Sequence, residues 1–167
     1  MRVVPLFAVT AAGLLALACR GSSAAPAPAP KAPSGGVAIE TVLQRSVPGQ
    51  AGGEIRDVAR DEAAWKALWD RLREGGGEVL PAEPPAVDFS RDMVIAAAMP
   101  NQPCVSKVTI RGVTKGQGEL VVDLLEAPPA PNCVCFVSER PLHVVRLPRS
   151  ADPVRFVAEQ GQTPCGH

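Results

Sequence analysis

The cysteines and histidines are the side chains best suited to redox, metal or nucleophilic chemistry, and there are few of them. Five cysteines (Cys19, Cys104, Cys133, Cys135, Cys165) and two histidines (His143, His167) are present. Setting Cys19 aside leaves an even four, which in an oxidising compartment reads as two disulfides. Four cysteines allow three pairings, and bridging Cys133 to Cys135, alternate residues of one extended segment, is the least favourable. A hairpin turning near Gly116 sets Cys104 opposite residue 128 or so, slightly nearer Cys133. The spacing therefore favours Cys104–Cys133 with Cys135–Cys165, the second clipping the C-terminal tail onto the sheet. The alternative is a copper or zinc site from Cys133, Cys135, Cys165, His167 and His143, since thiolate and imidazole suit copper(I) or zinc. Cys-x-Cys is not the common zinc spacing, so no metal ligand is expected.

Catalytic arrangements are equally scarce. A Ser-His-Asp triad would have to use His143, but the sequence has no G-x-S-x-G, and His143 falls mid-strand beside Pro141 as a packing or surface residue. Asp88 and Asp92 fall in a turn, where capping explains them. Gly75-Gly76-Gly77 follows a helix and does not open one, so it is no phosphate cradle. Asp57, Arg60 and Asp61 read as a solvated patch. No catalytic residue and no cofactor is expected, and the protein reads as not an enzyme.

The elements that position these residues follow from the wider sequence. The 167 residues suit one ordinary domain. Lys+Arg and Asp+Glu are both 17, a balance that lacks the basic face nucleic acid requires. Residues 1–18 read as a lipoprotein signal peptide, with Arg2 followed by the apolar run Val3–Ala18, too short to span a bilayer. Leu15-Ala16-Leu17-Ala18-Cys19 resembles the lipobox of bacterial lipoproteins, which makes Cys19 the expected lipidation site and a membrane anchor. Residues 19–36 carry that anchor and an Ala/Pro-rich linker. At about 3.1 Å per residue, its last fifteen residues hold a domain up to roughly 45 Å from the membrane. The expected location is the bacterial cell envelope, facing outside the cytoplasm.

Residues 37–160 form the expected domain and 161–167 a tail. Val37–Ser46 and Glu54–Ala59 are predicted strands. Asp61 is placed as an N-cap, and Trp65, Leu68, Trp69 and Leu72 form one apolar helical stripe; at this spacing both tryptophans belong in the core. Met93–Met99 is a continuous apolar run typical of a central strand. Val105–Val113 and Glu119–Leu125 form a hairpin, with Val134–Val137, Leu142–Leu147 and Val154–Ala158 as further strands. The fold class is α+β: a mostly antiparallel sheet with one principal amphipathic helix, stapled by disulfides.

Several of these pieces resemble, in order, the C-terminal domain of the PrcB-like protease-complex lipoproteins. Trp65-Lys66-Ala67-Leu68-Trp69 is similar to that family's W-x-x-L/F-W helix. Val87-Asp88-Phe89-Ser90-Arg91-Asp92-Met93-Val94-Ile95 resembles its approach to the central strand. The hairpin Val105–Leu125 with the following Pro-rich loop and Cys133 comes next, and Pro141–Pro148 resembles its last motif. The chain departs at Asn101–Val105, where the family shows Gly and Tyr, and at Leu142, which replaces a Tyr. The resemblance implies a non-enzymatic surface lipoprotein that associates with and stabilises an exported protease complex. Two other functions fit the same sequence: a protease inhibitor using Pro128–Asn132 or Asn101–Cys104 as a rigid insert, and the copper- or zinc-binding lipoprotein above.

Overall fold

A computed structural model describes residues 35–48, 52–74 and 79–165. The elements are β1 (Gly36–Val37), β2 (Glu40–Pro48), β3 (Ile55–Ala59), α1 (Glu62–Arg73), β4 (Asp92–Ala98), β5 (Gln102–Pro103), β6 (Lys107–Lys115), β7 (Leu120–Ala127), β8 (Ser138–Pro148) and β9 (Val154–Gln160). They form a four-stranded sheet in the order β1-β6-β7-β9 and a five-stranded sheet in the order β2-β8-β4-β3, with β5 also on β8. All pairs are antiparallel except β7 with β9. This is the expected α+β class: helix, five-stranded sheet and four-stranded sheet lie in three layers.

The middle layer explains the continuous apolar run. Successive side chains of a strand point to opposite faces. Val94, Ala96 and Ala98 share a core with the helix, while Met93, Ile95 and Ala97 pack toward the second sheet. With both faces of β4 covered, no polar position is needed. On β8, Leu142 and Val144 face the helix and Val145 and Leu147 the other sheet.

The helix begins where expected: the Asp61 carboxylate accepts from the Ala64 N–H at 2.8 Å, satisfying an otherwise orphaned donor. Trp65, Leu68, Trp69 and Leu72 are buried. The two indoles meet edge to face with centroids 5.3 Å apart, a favoured aromatic geometry. Their N–H groups are also used: Trp65 donates to the Pro85 carbonyl at 2.9 Å and Trp69 to that of Pro81 at 3.0 Å. The Pro-rich strap thus accepts what the core cannot. At the other end the buried Arg140 of β8 donates to the carbonyls of Arg71 (3.1 Å) and Leu72 (3.4 Å) and to Gly53 (2.7 Å). Gly52 has φ +119, and a Cβ there would stand 2.6 Å from the Arg140 guanidinium, so only glycine fits on both counts. Gly75-Gly76-Gly77, expected to stop the helix, lies outside the described residues.

Two strand expectations are corrected. Val37–Ser46 is not one strand: Gly36-Val37 pairs with β6 in one sheet, and Glu40–Pro48 pairs with β8 in the other. The chain crosses between sheets at Ala38-Ile39. A short strand the sequence did not suggest, Gln102-Pro103, pairs with Glu139 and Ser138. Val134–Val137 is not a strand, because no neighbouring strand pairs with it and β8 starts only at Ser138.

Candidate partner-binding surface

The four cysteines converge at the end of the sandwich where β6 and β8 begin. They form two disulfides, Cys104–Cys135 and Cys133–Cys165, with Cα–Cα distances of 5.1 and 5.2 Å, inside the usual range. The pairing favoured by spacing is thereby overturned. That expectation extended the β6–β7 hairpin line back to Cys104. Instead the chain leaves that line at β5 and joins β8, where the Cys104 N–H donates to the Val137 carbonyl at 3.2 Å. Cys104 therefore faces the approach to β8, and Cys135 is its neighbour.

Cys133 finds Cys165 by a separate route. The tail runs beside the Pro-rich loop: the Thr163 N–H donates to the Pro128 carbonyl at 2.9 Å and the Ala130 N–H to that of Thr163 at 3.0 Å. The Thr163 hydroxyl bonds the Val105 carbonyl as well. The Cys133 N–H then donates to the Ala130 carbonyl at 3.1 Å. Cys165, two residues past Thr163, meets Cys133. The tail is clipped down as expected, by the other member of the Cys-x-Cys pair.

Cys104 is buried with φ +64. A non-glycine residue in the left-handed region carries strain of about 1–3 kcal/mol and persists where its surroundings over-determine it. Here a disulfide and a backbone hydrogen bond both hold it.

The consequence is an inverted surface. Between Cys133 and Val137 the half-buried cysteines point inward, and the residues between them point out. Val134 is 85% exposed, Val137 60% and nearby Val105 52%, while Phe136 stands fully in solvent. Scattered exposed apolar residues are ordinary; here four stand together beside two disulfides. The outer face of the four-stranded sheet differs. There Arg111 pairs with Asp123 and Glu159, both at 2.6 Å, and Arg155 with Glu119 at 2.8 Å. Those carboxylates raise the Arg111 pKa, and the Arg155 guanidinium lowers that of Glu119, so the charges there are already matched.

The remaining sequence-derived residues take structural places. His143 is buried between the sheets: the Ile110 N–H donates to its Nδ1 at 2.8 Å, and its Nε2 lies 3.0 Å from the Thr41 hydroxyl. The β6–β7 register slips between Ile110 and Gly112, a bulge that leaves a ladder donor for the imidazole. Burial first, and then Lys107, lowers the His143 pKa. Asp88 accepts from the Ser90 N–H at 3.0 Å, and the Ser90 hydroxyl and N–H lower its pKa. In the disulfide state the cysteine sulfurs offer no thiolate, and no group of His, Cys, Asp and Glu among the described residues is placed to hold a metal. Cys19 and His167 lie outside the described residues. Among the described residues no helix is long and apolar enough to cross a membrane.

Sequence reading singled out the cysteines but not Phe136. Pro128–Asn132 and Asn101–Cys104, the loops it favoured as inserts, are tied to the tail and to β8 respectively. Compared with known proteins, this chain matches no family model, no curated protein and no solved structure.

Proposed function

We propose that this chain is a non-enzymatic lipoprotein of the bacterial cell envelope, anchored to a membrane through Cys19, that binds and stabilises a partner protein. The partner class we favour is an exported protease complex, as the resemblance to the PrcB-like lipoproteins implies. The observation that supports binding is the disulfide-pinned apolar knuckle Val134–Val137 with Val105 beside it. Solvent exposure of these residues costs about 25 cal/mol per Å² of apolar area relative to burial, and a partner recovers that cost. Aromatic residues at the centre of such patches dominate interface energetics, which places Phe136 first.

The test is reversible cross-linking in intact cells, gentle solubilisation, capture of the acylated chain and identification of its companions by mass spectrometry. A stoichiometric exported protease, lost with Phe136→Ser, supports the reading. A Cys19→Ala chain that still sediments with membranes removes the anchor from it, and a wild-type chain recovered alone removes the partner.

A further inference from the structure

The backbone of the knuckle carries information beyond its side chains. Among the described residues, no backbone hydrogen bond forms at Val134, Cys135 or Phe136. Yet the segment is pinned: Cys133 and Cys135 are each bonded to a different part of the chain, and Val137 is held by the Cys104 N–H. An unpaired, pre-held stretch of chain that bends at one fully exposed aromatic suits a cleft that takes a protruding loop. Holding the segment in advance also lowers the ordering cost of binding.

The surroundings of the Phe136–Val137 peptide bond narrow the partner. Cys135, on its N-terminal side, is disulfide-bonded to Cys104; Val137, on its C-terminal side, accepts the Cys104 hydrogen bond. Both flanks of one peptide bond are thus fastened to one residue. We propose that Val134–Val137 inserts into the cleft of an extracytoplasmic endopeptidase and inhibits it, with Phe136 in an apolar specificity pocket. This rests on the binding half of the reading above, keeps its protease partner, and makes inhibition rather than stabilisation the outcome of binding.

Attack of a protease nucleophile on the Phe136 carbonyl carbon breaks the C–N bond to Val137, and the nucleophile's proton passes to the departing amine. In an ordinary substrate that amine diffuses away and water completes hydrolysis. Here Val137 stays beside the acyl group because Cys104 and the β5–β8 pairing retain it. The amine re-attacks, the peptide bond re-forms and the proton returns to the nucleophile.

The test uses the full oxidised chain in mild detergent, titrated against chymotrypsin, with an apolar specificity pocket, and trypsin, whose pocket carries an aspartate. The expected result is stoichiometric loss of chymotrypsin activity with trypsin unaffected. Phe136→Ser should weaken inhibition by at least about thirtyfold, the usual range for a central aromatic. Phe136→Lys should transfer inhibition to trypsin. Chymotrypsin at full rate in excess chain, steady release of cleaved chain, or equal inhibition by Phe136→Ser overturns the proposal. Cellular capture separates the two readings: a non-protease companion lost with Phe136→Ser overturns inhibition and leaves partner binding standing.

Discussion

The helix layer and the stapled end of the sandwich are both ordered, by opposite means. Around α1, order comes from burial: two indoles, two leucines and the small residues of β4 are packed together, and even the indole N–H groups are satisfied. Around Cys133–Val137, order comes from two covalent bonds and a few backbone hydrogen bonds. The difference teaches why apolar residues can stand in solvent at one end. A segment ordered by packing must spend its apolar side chains inward. One ordered by disulfides keeps them free to face out.

The comparison breaks most severely at the helix. Trp65→Ala should destabilise by about 3–5 kcal/mol in denaturant unfolding, and a loss below about 1 kcal/mol would mean packing does not hold that layer. Removing one staple with Cys133→Ala and Cys165→Ala together should cost about 2–4 kcal/mol, and partner capture should fall with it. Unchanged stability there would place the order of the knuckle elsewhere.

The histidine between the sheets tests the packed side differently. Its pKa is lowered by burial, so its contribution is fully present above the unfolded value of about 6.5 and is lost as pH falls through the lower folded value. Protonation also removes the Nδ1 acceptor from the Ile110 N–H. Urea midpoints should therefore decline from pH 7 to pH 5. His143→Phe should flatten that slope and cost about 1–3 kcal/mol at pH 7, because the Ile110 donor is left unpaired. The smallest stability effect belongs to Phe136→Ser, within about 0.5 kcal/mol of wild type, while partner capture is lost. A large destabilisation would show the ring to be packed rather than presented.

How much of this was legible depended on how local each feature was. The helix could be read because its cap and its apolar stripe lie within a single stretch. The central strand could be read because burial on both faces demands a continuous apolar run. Disulfide pairing could not, since it depends on Gln102-Pro103 joining β8, a contact between distant segments with weak strand character. The knuckle reads as a strand from sequence for a related reason. Val134–Val137 has strand-like composition, and composition does not reveal whether a partner strand is present.

The pairing of β2 with β8 has a kinetic consequence. Thr41 lies 102 residues from His143 and Glu40 lies 106 from Arg146, so one edge of the five-stranded sheet must wait for almost the whole chain. Such non-local pairing slows folding, because loop-closure entropy is lost before the contacts form. β2, the second strand, cannot settle until β8, the last but one, arrives. In a polypeptide emerging vectorially, N-terminus first, β2 therefore stays unpaired until β8 has followed it out.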